Sequence, residues 1–153
     1  MLRRLSSYVF LIVGILIGLG AFGHGSAVKN VHAAIDRFPI DPNVSTMLYV
    51  VWYFVSGCML LFGVTIVWSW FRLRAGDTGS LRVPLLIGAL YVAVGVGGMI
   101  YRHGDPFMAT FIVLGGLLLA SASALISGVP SSNRSAAATA AGVPGGVPGG
   151  GAS

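Results

Sequence analysis

Residues 45–71, STMLYVVWYFVSGCMLLFGVTIVWSWF, run for twenty-seven positions without one Asp, Glu, Lys or Arg. At about 1.5 Å rise per residue, a helix of about 20 residues crosses the roughly 30 Å hydrocarbon core of a bilayer, and this stretch exceeds that length. It reads as a membrane-spanning helix that tilts or extends to accommodate the surplus. Around it lie three more stretches free of those four residue types, at 8–28, 85–101 and 107–127, the third span being the shortest.

The composition agrees. Of 153 residues 56% are hydrophobic and 8% charged, with no glutamate, and the mean hydropathy is +0.89. Soluble domains carry about a quarter charged residues, so a water-soluble globule is excluded. The fold class expected is all-α: a polytopic membrane protein built as an antiparallel bundle of four transmembrane helices. Residues 1–128 form this domain. Residues 129–153 are rich in Ser, Ala, Gly and Pro, end in GVPGGVPGGGAS, and read as a disordered tail without core-forming side chains.

All seven prolines fall outside the interiors of the spans, as the loss of a helical hydrogen bond requires. Asp41-Pro42 and Asp105-Pro106 each place a capping carboxylate before a proline suited to the first helical position, so spans two and four are expected to start there. Pro84 marks the start of span three, Pro39 closes the segment after span one, and Gly128-x-Pro130 ends span four.

The net charge of +5 comes without any basic run longer than Arg3-Arg4, so it is a topological signal and implies no nucleic-acid partner. Arg3, Arg4, Arg72, Arg74, Arg82 and Arg134 fall on one side of the spans. Lys29, Arg37 and Arg102 fall on the other, with Asp36, Asp41 and Asp105. The positive-inside rule then places both termini in the cytoplasm and the protein in the plasma (inner) membrane. Tyr49, Trp52, Tyr53 and Tyr101 form the expected outer aromatic belt, and Tyr8, Trp68 and Trp70 the inner one. A competing reading takes the basic start, the apolar stretch and the small residues at 21–26 as a cleaved signal peptide. The length of about 20 apolar residues favours a span.

Helices in lipid associate through close backbone approach at small residues. Gly14, Gly18, Ala21 and Gly25 recur in span one; Gly88, Gly95 and Gly98 in span three; Gly116, Ala120 and Ala124 in span four. These stripes predict that spans one, three and four pack intimately. Residues 11–25 and 85–104 both run from Gly-rich apolar sequence to a His-Gly pair, each followed by an Asp-Pro. That pattern suggests two helical hairpins in the same orientation. Between spans one and two, Val28, Val31, Ile35 and Phe38 recur at helical spacing, so span one is expected either to continue past the membrane surface or to turn along it.

Chemistry-bearing residues are few. His24, His32 and His103 all map to the outer half, near Asp36, Tyr101 and Arg102. His24, His32, Asp36, Tyr101 and His103 form the candidate cluster for quinone or haem binding or for a proton relay. Asp36, four residues after His32, is placed to orient its imidazole. His24 lies deepest, where a polar group must find an internal partner, and a partner from span three such as Tyr101 or His103 requires those helices to pack together. The plainer reading makes His24 an interhelical hydrogen bond. No nucleotide-binding Gly-rich loop, Gly-x-Ser-x-Gly motif or pair of buried acids is present, so no catalytic residue is assigned. No metal-ligand spacing occurs, and no cofactor is required. The single Cys58 permits no disulfide within the chain and reads as a buried apolar residue.

A Gly-rich first span ending in Gly23-His24, a longer second span rich in aromatic and Gly residues (WYFVSGCMLLFG) and a small third loop resemble the small DoxX-like bacterial membrane proteins. The resemblance covers roughly residues 8–127. It implies a four-helix fold and, for some members, association with quinone-linked or membrane redox complexes. It transfers no catalytic residue. Two readings follow. One is a non-enzymatic accessory or scaffold subunit whose partners are the lipid bilayer, other membrane subunits or a second copy. The other is a redox-associated subunit that binds quinone or haem at the outer histidines. The absence of charge within the spans disfavours a transporter.

Overall fold

A computed structural model describes residues 2–38 and 40–127. Five α-helices follow in chain order: α1 (Leu2–Ser26), α2 (Val28–Ile35), α3 (Pro42–Arg74), α4 (Arg82–Tyr101) and α5 (Pro106–Ser127), with a short 3-10 turn at Thr78–Leu81 before α4. Four helical stretches, Arg3–Ile35, Pro42–Arg74, Thr78–Tyr101 and Pro106–Ser127, are long and apolar enough to cross a membrane. The expected all-α, four-span architecture is present. The proposed tail, Pro39, Pro130 and Arg134 lie outside the described residues.

Both Asp-Pro signals act as expected. The Asp41 carboxylate accepts from the Asn43 N–H at 2.8 Å, and the Asp105 carboxylate from the Phe107 N–H at 2.9 Å, with proline opening each helix. Pro84 does not open its helix; the 3-10 turn leads the chain in, α4 begins at Arg82, and Pro84 is buried in its first turn.

α1 pairs antiparallel with α3, and α4 with α5; α5 then packs along α1 to join the two hairpins, while α3 and α4 touch little. The expectation that spans one and three pack together is corrected: no contact joins α1 to α4 among the described residues. In a ring of four antiparallel helices, these two lie diagonally opposed. In the first hairpin Gly14 faces Ile66, Gly18 faces Gly63, and Gly25 faces Ser56, and His32 of α2 still pairs with Tyr49 of α3. The register holds without a slip, so span one continues as α2 along the extended start of α3. α2 contacts α1 and α3 alone, so its roughly 12 Å of helix projects past the second hairpin.

The closest backbone approach is at Gly63, where a Cβ would lie 2.5 Å from the Gly18 Cα and N. In the second hairpin, Cβ atoms at Gly88 and Gly95 would press on α5, and one at Gly115 would sit 2.7 Å from the Gly88 carbonyl oxygen. Two expected packing positions are corrected. A Cβ at Gly116 would meet nothing within 4 Å, and Ala120 is exposed. The buried face of α5 is Gly115, Leu118, Ser121, Ala122 and Leu125, rotated one residue from the predicted stripe. The buried face mixes the small residues Gly115, Ser121 and Ala122 with Leu118 and Leu125, so a run of small residues at four-residue spacing marks the wrong face. Gly25 makes only ordinary contact, 3.6 Å to Ser56.

The buried cluster comprises Phe10, Val13 and Ile17 of α1, Ile66 and Leu73 of α3, Leu81, Ile87 and Tyr91, and Leu118, Ala122 and Leu125 of α5. It fills the half of the bundle that ends in Arg3, Arg4, Arg72, Arg74 and Arg82. Towards the histidines the helices enclose a cavity instead.

Candidate functional site

The histidine-side cavity measures about 730 Å³ and lies between the two hairpins. α1 contributes Ile17, Gly20, Gly23 and His24, α3 contributes Trp52 and Met59, α4 contributes Tyr91, and α5 contributes Phe107, Met108 and Phe111, with Arg102 from the following loop. The wall is mostly apolar and aromatic with a few polar groups, as small-molecule sites are.

His24 is held on three sides. Its Nδ1 lies 2.9 Å from Ser56 Oγ, the Trp52 indole N–H donates to its carbonyl oxygen at 2.8 Å, and the two rings stack with centroids 4.1 Å apart and 18° between planes. The Ser56 hydroxyl donates its single proton to the Trp52 carbonyl at 3.1 Å. With its proton placed there it accepts from His24 Nδ1–H, the tautomer in which Nε2 keeps its lone pair.

Tyr91 stands on the opposite hairpin, 4% exposed, with its ring between Phe62 and Phe111. Its hydroxyl is buried without a hydrogen-bond partner among the described residues. The site thus sets His24 on one hairpin against the Tyr91 ring on the other, across an apolar space. No family model, curated protein or solved structure matches the chain.

The other members of the sequence-derived cluster lie elsewhere. His32 Nδ1 is 2.6 Å from the Tyr49 hydroxyl, so its side-chain partner is on α3 and not Asp36. Asp36 caps α2, its backbone N–H donating to the His32 carbonyl. Tyr101 is 86% exposed. His103 has a φ of 52° in the turn that ends α4, where the Gly104 N–H reaches the Met99 carbonyl and the His103 N–H the Ile100 carbonyl. This is a Schellman cap with histidine at the left-handed position that glycine usually takes. No side-chain hydrogen bond joins two members of the cluster among the described residues. Of the five, His24 alone lines the cavity.

Sequence reasoning missed Trp52, Ser56 and Tyr91. Trp52 and Ser56 stand four apart in span two, and a serine within an apolar span signals an internal partner. Tyr91, which puts a polar tip in the interior of span three, carries the same signal.

Proposed function

We propose that this four-span protein is a non-enzymatic accessory subunit of the plasma (inner) membrane, its termini cytoplasmic, and that its cavity holds one molecule of the quinone class. The observation that carries this reading is an apolar, aromatic-lined cavity of about 730 Å³ between the hairpins, with His24 held in its wall by Ser56 and Trp52. A quinone carbonyl or the hydroxyl of the reduced form can hydrogen-bond the His24 imidazole. The aromatic wall suits the ring. The DoxX-like resemblance supports the same class. Haem ligation by a His24–His103 pair gains no support, because His103 does not line the cavity.

Purified protein, equilibrated in detergent with a short-chain benzoquinone, is expected to retain about one quinone per chain after dialysis. Gly23 lines the cavity, and a Cβ there meets nothing within 4 Å, so Gly23→Leu should fill the space and abolish retention while the helices still pack. Retention no greater than that of empty micelles, or unchanged in Gly23→Leu, would remove the quinone reading.

A scaffold role is favoured separately by α3. Its 33 residues bury only Gly63, Ile66, Ser69 and Leu73, which leaves an outward stripe including Met47, Phe54, Leu61, Trp68 and Phe71 for lipid or a partner helix. The faces carrying Gly14, Gly18, Gly63, Gly88, Gly95 and Gly115 are already used within the bundle.

A further inference from the structure

At the arginine-rich end, α1, α3 and α5 surround a concavity of about 470 Å³ lined by Arg3, Arg4, Ser7, Leu73, Arg74 and Leu125. We propose that it binds the phosphate of an anionic phospholipid.

Charge balance is the first argument. Of the four acidic residues in the chain, Asp77 alone falls at this end, and it is taken by Arg72 in a 2.9 Å ion pair. No acidic side chain among the described residues pairs with Arg3, Arg4 or Arg74. Three arginines from two helices therefore line one hollow with no internal counter-charge among the described residues. A topological signal alone asks only that arginines lie on this side; it does not ask that they gather round a pocket.

The helix dipole is the second. Arg3 and Arg4 occupy the first turn of α1, which has no acidic residue. Cations at a helix N-terminus are at the unfavourable end, and an anion there relieves both the dipole and their mutual repulsion. The third argument is construction. The Trp70 indole N–H donates to Ser7 Oγ at 2.9 Å, and the Arg74 guanidinium lies 4.9 Å from the Trp70 ring centroid. Ser7 holds the indole, and the indole holds the arginine over the hollow. Basic pockets between helix ends at the membrane surface are what anionic lipid headgroups recognise. The place of the hollow at the end of the spanning helices favours a lipid over a free anion.

The test is native mass spectrometry of the full chain released from micelles containing equal amounts of phosphatidylglycerol and phosphatidylethanolamine, with and without excess inorganic phosphate. Phosphatidylglycerol adducts should dominate and survive the phosphate. Arg74→Gln should lower the phosphatidylglycerol preference about fivefold, the worth of one arginine near an anionic surface. Arg4→Gln, which leaves the Trp70 stack intact, should do likewise, and Arg82→Gln, outside the hollow, should not. Equal occupancy by the two lipids, or an unchanged preference in both Arg74→Gln and Arg4→Gln, would overturn the proposal. Displacement of phosphatidylglycerol by free phosphate would overturn the assignment to lipid.

Discussion

Tyr91 and His103 each carry a polar tip, and replacing either is expected to stabilise the protein. The Tyr91 hydroxyl has no hydrogen-bond partner among the described residues. Tyr91→Phe should therefore stabilise the protein by about 1 kcal/mol and leave quinone retention unchanged. Thermal unfolding with and without ligand measures both; a fall in the stability of the empty form would show that the hydroxyl has a partner. His103 shows the reverse of what its residue type suggests. Its left-handed φ of 52° is costly for a residue with a Cβ, so His103→Gly should raise stability by up to ~1 kcal/mol and leave cavity binding unchanged. A histidine in an outer loop is legible as a chemical hint. That it serves as a helix cap depends on backbone dihedrals, which residue type alone does not specify.

Among the helices, the glycines separate by neighbour and not by spacing. Gly63→Ala would place a methyl against Gly18 backbone and should cost about 1–3 kcal/mol through separation of α1 and α3. Gly116→Ala, in open space, should be neutral or gain up to ~1 kcal/mol. Parallel denaturant titrations in detergent compare them, and equal costs would contradict the packing described. The Gly14 and Gly18 stripe of α1 was legible because small residues recur there with no competing face. In α5 the adjacent pair Gly115-Gly116 left two faces open, and the large residues Leu118 and Leu125, with no spacing signature of their own, decided between them. At the α3–α4 turn the hydrogen bonds from Arg72 hold the Asp77 carboxyl below its usual range. Its contribution is complete above the unfolded pKa near ~3.9 and is lost as the pH falls through the lower folded value. Melting temperatures of the wild type and Asp77→Asn should therefore differ at neutral pH and converge in strong acid.

For the molecule as a whole, span count and the starts of α3 and α5 were legible because membrane crossing and Asp-Pro capping each leave a signal in residue type. Which helices touch was not. Diagonal and adjacent neighbours in a ring of four carry the same small residues, so Gly88 and Gly95 could be assigned to α1 as readily as to α5. The division into a filled half and a hollow half also escaped the sequence, since both halves are equally apolar. The hairpins differ in length as well. α3 has 33 residues against 20 in α4 and 22 in α5, about 50 Å against 30–33 Å of helix. A bilayer matched to one hairpin is mismatched to the other, and tilting to relieve the first displaces the second. Since the hairpins are joined chiefly where α5 meets α1 and the cavity lies between them, membrane thickness becomes a mechanical load on the walls of the site.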